Sequence, residues 1–294
     1  MLTKGVVVKV YGGFYYTRGA GNAVWECVLR GRFRIGQQRV LVGDNVEFII
    51  QNERSGIIEN VFPRKTVLLR PRAVNVEQAV IVMAARDPYP NPLLLDRFLI
   101  QAKDAGVKAY IVFNKIDLGT EEIRELAATY QKVGYSVFLI SAKEKTGIDE
   151  LREILSNSIT VLAGPSGAGK SSLLNAVSPG LMLKTGAISG KAGTGRHTTR
   201  HVELLPLPEG GFVVDTPGFS KLGLPEVDRV ELAGLFPEFE PYIYTCQFTG
   251  CLHMQEPGCA VKKALQAGEI SSLRYNNYLK LLNEVVERER RYLK

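Results

Sequence analysis

The chain is poor in cysteine, with four in 294 residues, and three of those are crowded between positions 246 and 259. It has no apolar run long enough to cross a bilayer, which argues against a membrane-spanning helix. Its first residues show no basic start followed by a long apolar stretch, so nothing marks it for export. A cytoplasmic setting is expected, and there disulfides are disfavoured. No internal repeat or low-complexity tract is visible. What is present is ordinary globular material: 45% hydrophobic and 23% charged residues, in a length that suits two or three domains. Acidic residues are the scarcer charge, 30 against 37 Lys and Arg, and the net +7 favours a polyanionic partner.

The most specific local pattern is Gly164-Pro165-Ser166-Gly167-Ala168-Gly169-Lys170-Ser171, followed by Ser172. A Gly-x-x-x-x-Gly-Lys-Ser loop lets successive backbone N–H groups converge on phosphate oxygens, because its glycines allow close approach. Lys170 is expected on the β- and γ-phosphates and the Ser171 hydroxyl on Mg²⁺. The flanks fit, with a short apolar strand over 158–163 and a helix beginning over 171–177, whose N-terminus attracts anions.

A second pattern selects the base. Asn114-Lys115-Ile116-Asp117 follows a strand run over 107–113. The Asp117 carboxylate can accept from both the ring N–H and the exocyclic amine of guanine, a donor pair that adenine lacks. Lys115 would lie along the base, and Asn114 would tie this loop to the phosphate loop. Ser141-Ala142-Lys143, after a strand run over 137–140, is similar to the other base-contacting loop of GTPases. GTP and GDP are therefore the expected nucleotides.

A third element, Asp215-Thr216-Pro217-Gly218, follows a strand over 212–214. Asp215 is expected to hold Mg²⁺ and the Gly218 N–H to sense the γ-phosphate. Upstream, residues 185–200 are rich in Gly, Ser, Thr and Lys without periodicity and form the natural switch segment. Thr198 or Thr199 would complete the Mg²⁺ shell. Many GTPases place a Gln after the Asp-x-x-Gly motif to orient the attacking water. Phe219 stands there and cannot do so, which makes His197 the candidate.

The base-reading motif precedes the phosphate loop, the reverse of the ordinary order. The succession Asn-Lys-x-Asp, Ser-Ala-Lys, phosphate loop, Gly-x-His-Thr-Thr, Asp-Thr-Pro-Gly resembles the bacterial ribosome small-subunit-dependent GTPases. These are circularly permuted GTPases that act late in maturation of the small subunit. The resemblance implies a GTP hydrolase stimulated by the small (30S) subunit, with that subunit and its rRNA as partners, no membrane, and a monomeric chain.

The expected architecture is α/β: a circularly permuted P-loop GTPase core over 71–224, an N-terminal OB-fold β-barrel over 1–70, and a C-terminal zinc-binding, mainly helical domain over 225–294. In the core, the apolar run 79–84 reads as a strand buried on both faces. Asn91-Pro92 reads as a helix start, with Leu95, Phe98, Leu99 and Ala102 on one face. In the first segment, β-type runs at 5–11, 24–29, 40–42, 46–50 and 57–61 suggest a small barrel. This segment holds 11 Lys and Arg against 5 Asp and Glu, so it carries +6 of the net charge. Tyr11, Phe14, Tyr15, Tyr16, Trp25 and Phe33 interleave with Arg18, Arg30, Arg32 and Arg34. Such residues bind RNA through phosphates and stacked bases, or else fill a barrel core.

In the last segment, Cys246, Cys251, His253 and Cys259 suit a closed tetrahedral Zn²⁺ site, one per chain. Cys27 belongs to a strand run and is expected in a core. Tyr278, Leu281, Leu282 and Val285 form a helical stripe, with Ser271 or Ser272 as its cap. Permutation sets the Asp-Thr-Pro-Gly switch beside the zinc domain, so both flanking domains are expected to follow switch movement. Two other readings start from the same motifs: a GTP-gated protein acting on a different RNA, and a small-molecule kinase. The intact Asn-Lys-x-Asp and the missing kinase lid argue against the kinase.

Overall fold

The computed structural model describes residues 2–31, 39–68, 71–119, 121–181, 202–215 and 224–292. The first unit is a barrel of β1 (Leu2–Tyr11), β2 (Phe14–Arg18), β3 (Val24–Leu29), β4 (Asn45–Ile50) and β5 (Ser55–Val61). Its strands pair in the order β1-β2-β3-β5-β4, and β4 returns to β1, so the sheet closes as in an OB-fold.

One expected strand is absent. Of 40–42, Val42 alone makes a bridge, to Ala73. The remaining wall is β2, which follows a Gly12-Gly13 turn with φ of 60° and 86° and Tyr11 paired to Phe14. Two consecutive positive φ values suit a two-residue hairpin that matches strand twist, and glycine takes them without a Cβ clash. The aromatics divide as well. Tyr15 and Trp25 pack against the barrel core, where Cys27 is fully buried, while Tyr11 and Phe14 are exposed. Arg32, Phe33 and Arg34 lie outside the described residues.

A two-stranded ribbon, β6 (Val67–Leu68) with β7 (Ala73–Val74), leads into the central sheet. That sheet runs β10 (Ser136–Ile140), β9 (Lys108–Asn114), β8 (Gln78–Ala84), β11 (Ile159–Ala163), β13 (Phe212–Asp215), β12 (Glu203–Pro206). The first five are parallel and β12 is antiparallel. Strand β8 is buried along its whole length. Ala79, Ile81 and Met83 pack with the helices α1 (Pro92–Asp104) and α2 (Glu121–Lys132). Val80 and Val82 pack on the other face, with α3 (Ile148–Leu155) and α4 (Lys170–Val177). Helix α1 starts as its sequence suggests: the Asn91 side chain accepts from the Leu94 N–H at 3.2 Å, and Pro92 takes the first turn.

The C-terminal region is mainly helical, with α5 (Ala260–Gln266) and the long α6 (Ser272–Tyr292). The stripe Tyr278, Leu281, Leu282 and Val285 is fully buried, and Ile100 of α1 joins the same apolar cluster. Under this contact lies an ionic network. Arg274 of α6 donates to Asp96 of α1 and holds Glu238 with two bonds of 2.6 and 2.9 Å. Asp96 also accepts from Tyr130 at 2.7 Å and Asn277 at 2.6 Å. Both Asp96 and Arg274 are fully buried.

Candidate functional site: a nucleotide cleft and a cysteine–histidine cluster

The base and phosphate loops meet at the carboxyl ends of β9, β10 and β11, where open α/β sheets bind ligands. The phosphate loop turns from β11 into α4 with φ of 132° at Gly164, 82° at Gly167 and 88° at Gly169. A Cβ on Gly164 would lie 2.0 Å from the Val82 carbonyl oxygen, and one on Gly169 would lie 2.3 Å from Asn114 Nδ2. These two positions therefore require glycine, and the loop backbone is set against its neighbours as a cradle. Ser166, Gly167 and Ser172 are exposed, while Ala168 and Ser171 are buried. Lys170 Nζ folds onto the carbonyls of Gly164 and Pro165 at 2.7 and 2.8 Å. Burial lowers its pKa to about 8, and an anion in the cradle would raise it again.

Asn114 joins three loops. Its Nδ2 donates to the Ala168 carbonyl at 3.0 Å, and its Oδ1 accepts from the Ala142 N–H at 3.1 Å. Asp117 is oriented by Ser141, whose hydroxyl donates to Oδ1 at 2.7 Å, while Lys143 Nζ stands 3.9 Å from Oδ2. The buried Ser141 oxygen also accepts from the Glu144 N–H at 3.1 Å. Lys115 has a left-handed φ of 66° and donates to the Asp87 carbonyl, so its stem lies across the face of Gly169. The loop carrying Asp87 and Pro88 thus packs against the cradle, with Pro88 Cδ 3.3 Å from the place of a Gly167 Cβ. The sequence offered no sign of this contact.

Asp215 ends β13. Desolvation raises the pKa of its carboxyl, and the charge of Glu203, its cross-strand partner, raises it further. His197, Thr198, Thr199 and Gly218, together with the switch segment 185–200, lie outside the described residues.

The second site is closed. The ligand atoms of Cys246, Cys251, His253 and Cys259 all lie within 4.8 Å of one another. His253 Nδ1 is 3.6 Å from Cys246 Sγ and 3.4 Å from Cys259 Sγ. A tetrahedron with metal–sulfur bonds of about 2.3 Å and a metal–nitrogen bond of about 2.0 Å has edges of roughly 3.5–3.8 Å, so the donor set fits such an ion. Backbone N–H groups of Ala260 and Lys262 point at the sulfurs of Cys246 and Cys259, both at 3.4 Å. Burial pushes the Cys251 thiol up to about 12 and lowers His253. Outer contacts fix the loop: the Tyr275 hydroxyl donates to the His253 carbonyl at 2.6 Å, and Glu256 accepts from Leu252 and Met254 N–H groups. No cysteine is in a disulfide.

A phosphate cradle on β11, base-reading loops on β9 and β10, and a sheet whose chain order is rotated relative to its strand order define a circularly permuted P-loop GTPase. Family and relatives agree with that class. The RsgA GTPase family matches residues 61–225, and the RsgA N-terminal domain matches residues 4–58. A small ribosomal subunit biogenesis GTPase RsgA from Moorella thermoacetica is 49% identical over 98% of this chain and 99% of its own length. Its namesake from Carboxydothermus hydrogenoformans is 47% identical over the same shares. Among solved structures, YjeQ from Thermotoga maritima superposes with a TM-score of 0.86 at 37% identity, covering 97% of this chain and 99% of its own. YloQ, described as a circularly permuted GTPase, gives 0.83 at 35% identity, covering 98% and 96%. The chain belongs to the RsgA GTPase family and is a GTP-hydrolysing enzyme.

Proposed function

We propose that the chain binds the small ribosomal subunit and its rRNA in the GTP state, assists late maturation of that subunit, and leaves on hydrolysis. The observation that carries this is the full-length likeness to the RsgA family, on a chain whose Asn114 ties the base loops to the phosphate cradle. The relatives' names supply the subunit, since they are small ribosomal subunit biogenesis GTPases. The basic barrel and the net +7 suit an RNA partner.

In this reading Asp117 takes the guanine edge, Ser141, Ala142 and Lys143 wall the base, and residues 164–172 hold the phosphates. Lys170 leaves the loop carbonyls for the β- and γ-oxygens. The Ser171 hydroxyl and Asp215 would hold Mg²⁺, with Thr198 or Thr199 completing the shell, and the ion would neutralise charge on the phosphates. Gly218 would report the γ-phosphate, and His197 would orient the attacking water. The work divides among residues 1–70 on RNA, 71–224 on nucleotide, and 225–294 as a metal-stapled support. The chain acts as a monomer in the cytoplasm; no helix among the described residues is long and apolar enough to cross a membrane.

The test is phosphate release from GTP in Mg²⁺ buffer, with and without purified bacterial small subunits, beside a His197→Ala variant. Stimulation of at least tenfold by subunits is expected, with a loss of about 10²-fold in the variant. GTP turnover that small subunits leave unchanged would favour a different RNA as the partner.

We also propose zinc in the cysteine–histidine cluster. One equivalent per chain is expected by metal analysis. Chelation should release three reactive thiols and loosen α5 together with the 240–259 region, because the ion replaces core that so small a segment lacks. A chain that keeps its helicity and unreactive thiols in strong chelator would exclude a structural metal.

A further inference from the structure

The barrel and the central sheet are one continuous sheet, joined where β1 meets β12 at a single aligned pair, Lys9 and Glu203. Register extends this pair into a row. Glu26 of β3 aligns with Tyr16 of β2, Tyr16 with Lys9, Lys9 with Glu203, and Glu203 with Asp215 of β13. Directly aligned residues in neighbouring strands share a face, so these five side chains stand in one line. The line is bonded at two places: the Tyr16 hydroxyl donates to Glu26 at 3.0 Å, and Lys9 Nζ meets Glu203 at 3.0 Å. A bulge between Val7 and Lys9 immediately precedes the lysine, the kind of irregularity that re-aims a side chain.

The electrostatics of the row are unbalanced without Lys9. Glu203 and Asp215 are like charges directly opposite each other, an arrangement that costs stability in a sheet. Lys9 offsets that repulsion, and a divalent cation at Asp215 would offset it too. The ammonium and the metal therefore compete for one negative field. Beside the row lies a cavity of about 480 Å³ at the barrel–core junction, lined by Lys9, Tyr11, Tyr16, Arg18 and Glu203 among others. Two cations next to two tyrosine rings suit an RNA strand, phosphates on the first and bases on the second. The Lys9 and Glu203 side chains are 36% and 40% exposed, so the ion pair is open to a competing phosphate from the cavity.

We propose that Lys9 and Glu203 form a charge relay in which an RNA phosphate in this junction cavity draws Lys9 off Glu203, and the uncovered Glu203 strengthens Mg²⁺ binding at Asp215. The relay gives the barrel a direct line to the metal carboxylate and makes Glu203 a positioning residue for the ion. It rests on the GTPase reading above and on Asp215 as a magnesium ligand.

The test is a Mg²⁺ titration of the full chain with a fluorescent, non-hydrolysable GTP analogue, which reads ion binding and not turnover. Glu203→Gln is expected to raise the half-saturating Mg²⁺ roughly threefold, and Lys9→Ala to lower it roughly threefold. The double variant should behave as Glu203→Gln alone, and Lys9→Arg as the wild type. A short oligouridylate should lower the wild-type midpoint and leave that of Lys9→Ala unmoved. Opposite signs from the two single variants separate a relay from mere damage, which would move both the same way. Shifts of one sign, no shifts, or an oligouridylate that fails to bind or binds without effect would overturn the relay. A wild-type chain that does not take up the analogue in Mg²⁺ would instead overturn the reading on which the relay rests.

Discussion

Asp117→Asn is expected to turn a guanine site into a xanthine site. In the proposed site the carboxylate would accept two hydrogen bonds from guanine, and an asparagine amide at the same place offers a donor that guanine cannot use. Xanthine carries an oxygen where guanine has its amine and accepts that donor. The local geometry fixes which half of the amide faces the base. Ser141 donates to Oδ1 of Asp117 at 2.7 Å, so the carbonyl oxygen of the substituted side chain keeps this bond and its NH₂ takes the place of Oδ2. Affinity for GTP should fall roughly 10³-fold while XTP gains by a comparable factor, because a site built around specific hydrogen bonds rejects a mismatched edge strongly. Competition of GTP, XTP and ATP against a labelled nucleotide measures it. Equal loss of all three would mean that Asp117 supports the loop and does not read the base.

The second large effect lies far from the nucleotide. Arg274→Ala should cost about 3–5 kcal/mol of stability, the range for removing one partner from a buried ionic network. The substitution leaves Asp96 and Glu238 as carboxylates with no cation, and Asp96 is fully buried. It also empties the place of a guanidinium that lies 4.8 Å from the Phe236 ring centre and 5.3 Å from that of Tyr130. Guanidinium unfolding of the two proteins side by side gives the difference. A loss under about 1 kcal/mol would mean that water enters and solvates the two acids. The network also bears on truncation. Removing residues 226–294 would strip Asp96 of Arg274 and Asn277 and uncover Ile100. Such a deletion therefore tests folding as well as the expected response of the C-terminal region to the switch, whereas substitutions at the Lys9–Glu203 seam leave the core intact.

Much of this was legible in the sequence, for definite reasons. Motifs that hold phosphates and guanine need fixed residue types at fixed spacing, so the cradle, Asp117 and Asn114 could be read directly. Three cysteines and a histidine within fourteen positions are a metal pattern for the same reason, since coordination geometry limits the spacing. The continuous apolar run at 79–84 identified β8 because burial on both faces removes alternation. Other features depend on partners distant in the chain. Residues 14–18 were not legible as a strand, and their aromatics suited both an RNA surface and a barrel core; only pairing with β1 and β3 separates the two roles. Residues 40–42 have strand composition but gain only the Val42 bridge. Asp96 occupies an apolar helix face, and nothing near it in sequence announces Arg274. Glu203 gains its meaning only from the register that sets it between Lys9 and Asp215.

The rotated order of the nucleotide site also governs how the protein is made. Synthesis proceeds from the amino end, and each domain tends to fold as it emerges. The barrel comes first and closes within its own sequence, β1 with β4. Strands β8, β9 and β10 follow, the last two carrying the base loops, but β11 beside β8 and the cradle that Asn114 holds are not yet translated. The Asp96 carboxylate waits still longer, since Arg274 lies 178 residues downstream. A nascent chain thus completes its central sheet only when β13 pairs with β11, and it seals its last buried charge only when α6 leaves the exit tunnel. The central sheet is therefore complete at β13, before the C-terminal helices exist, and the ionic lock on Asp96 closes last.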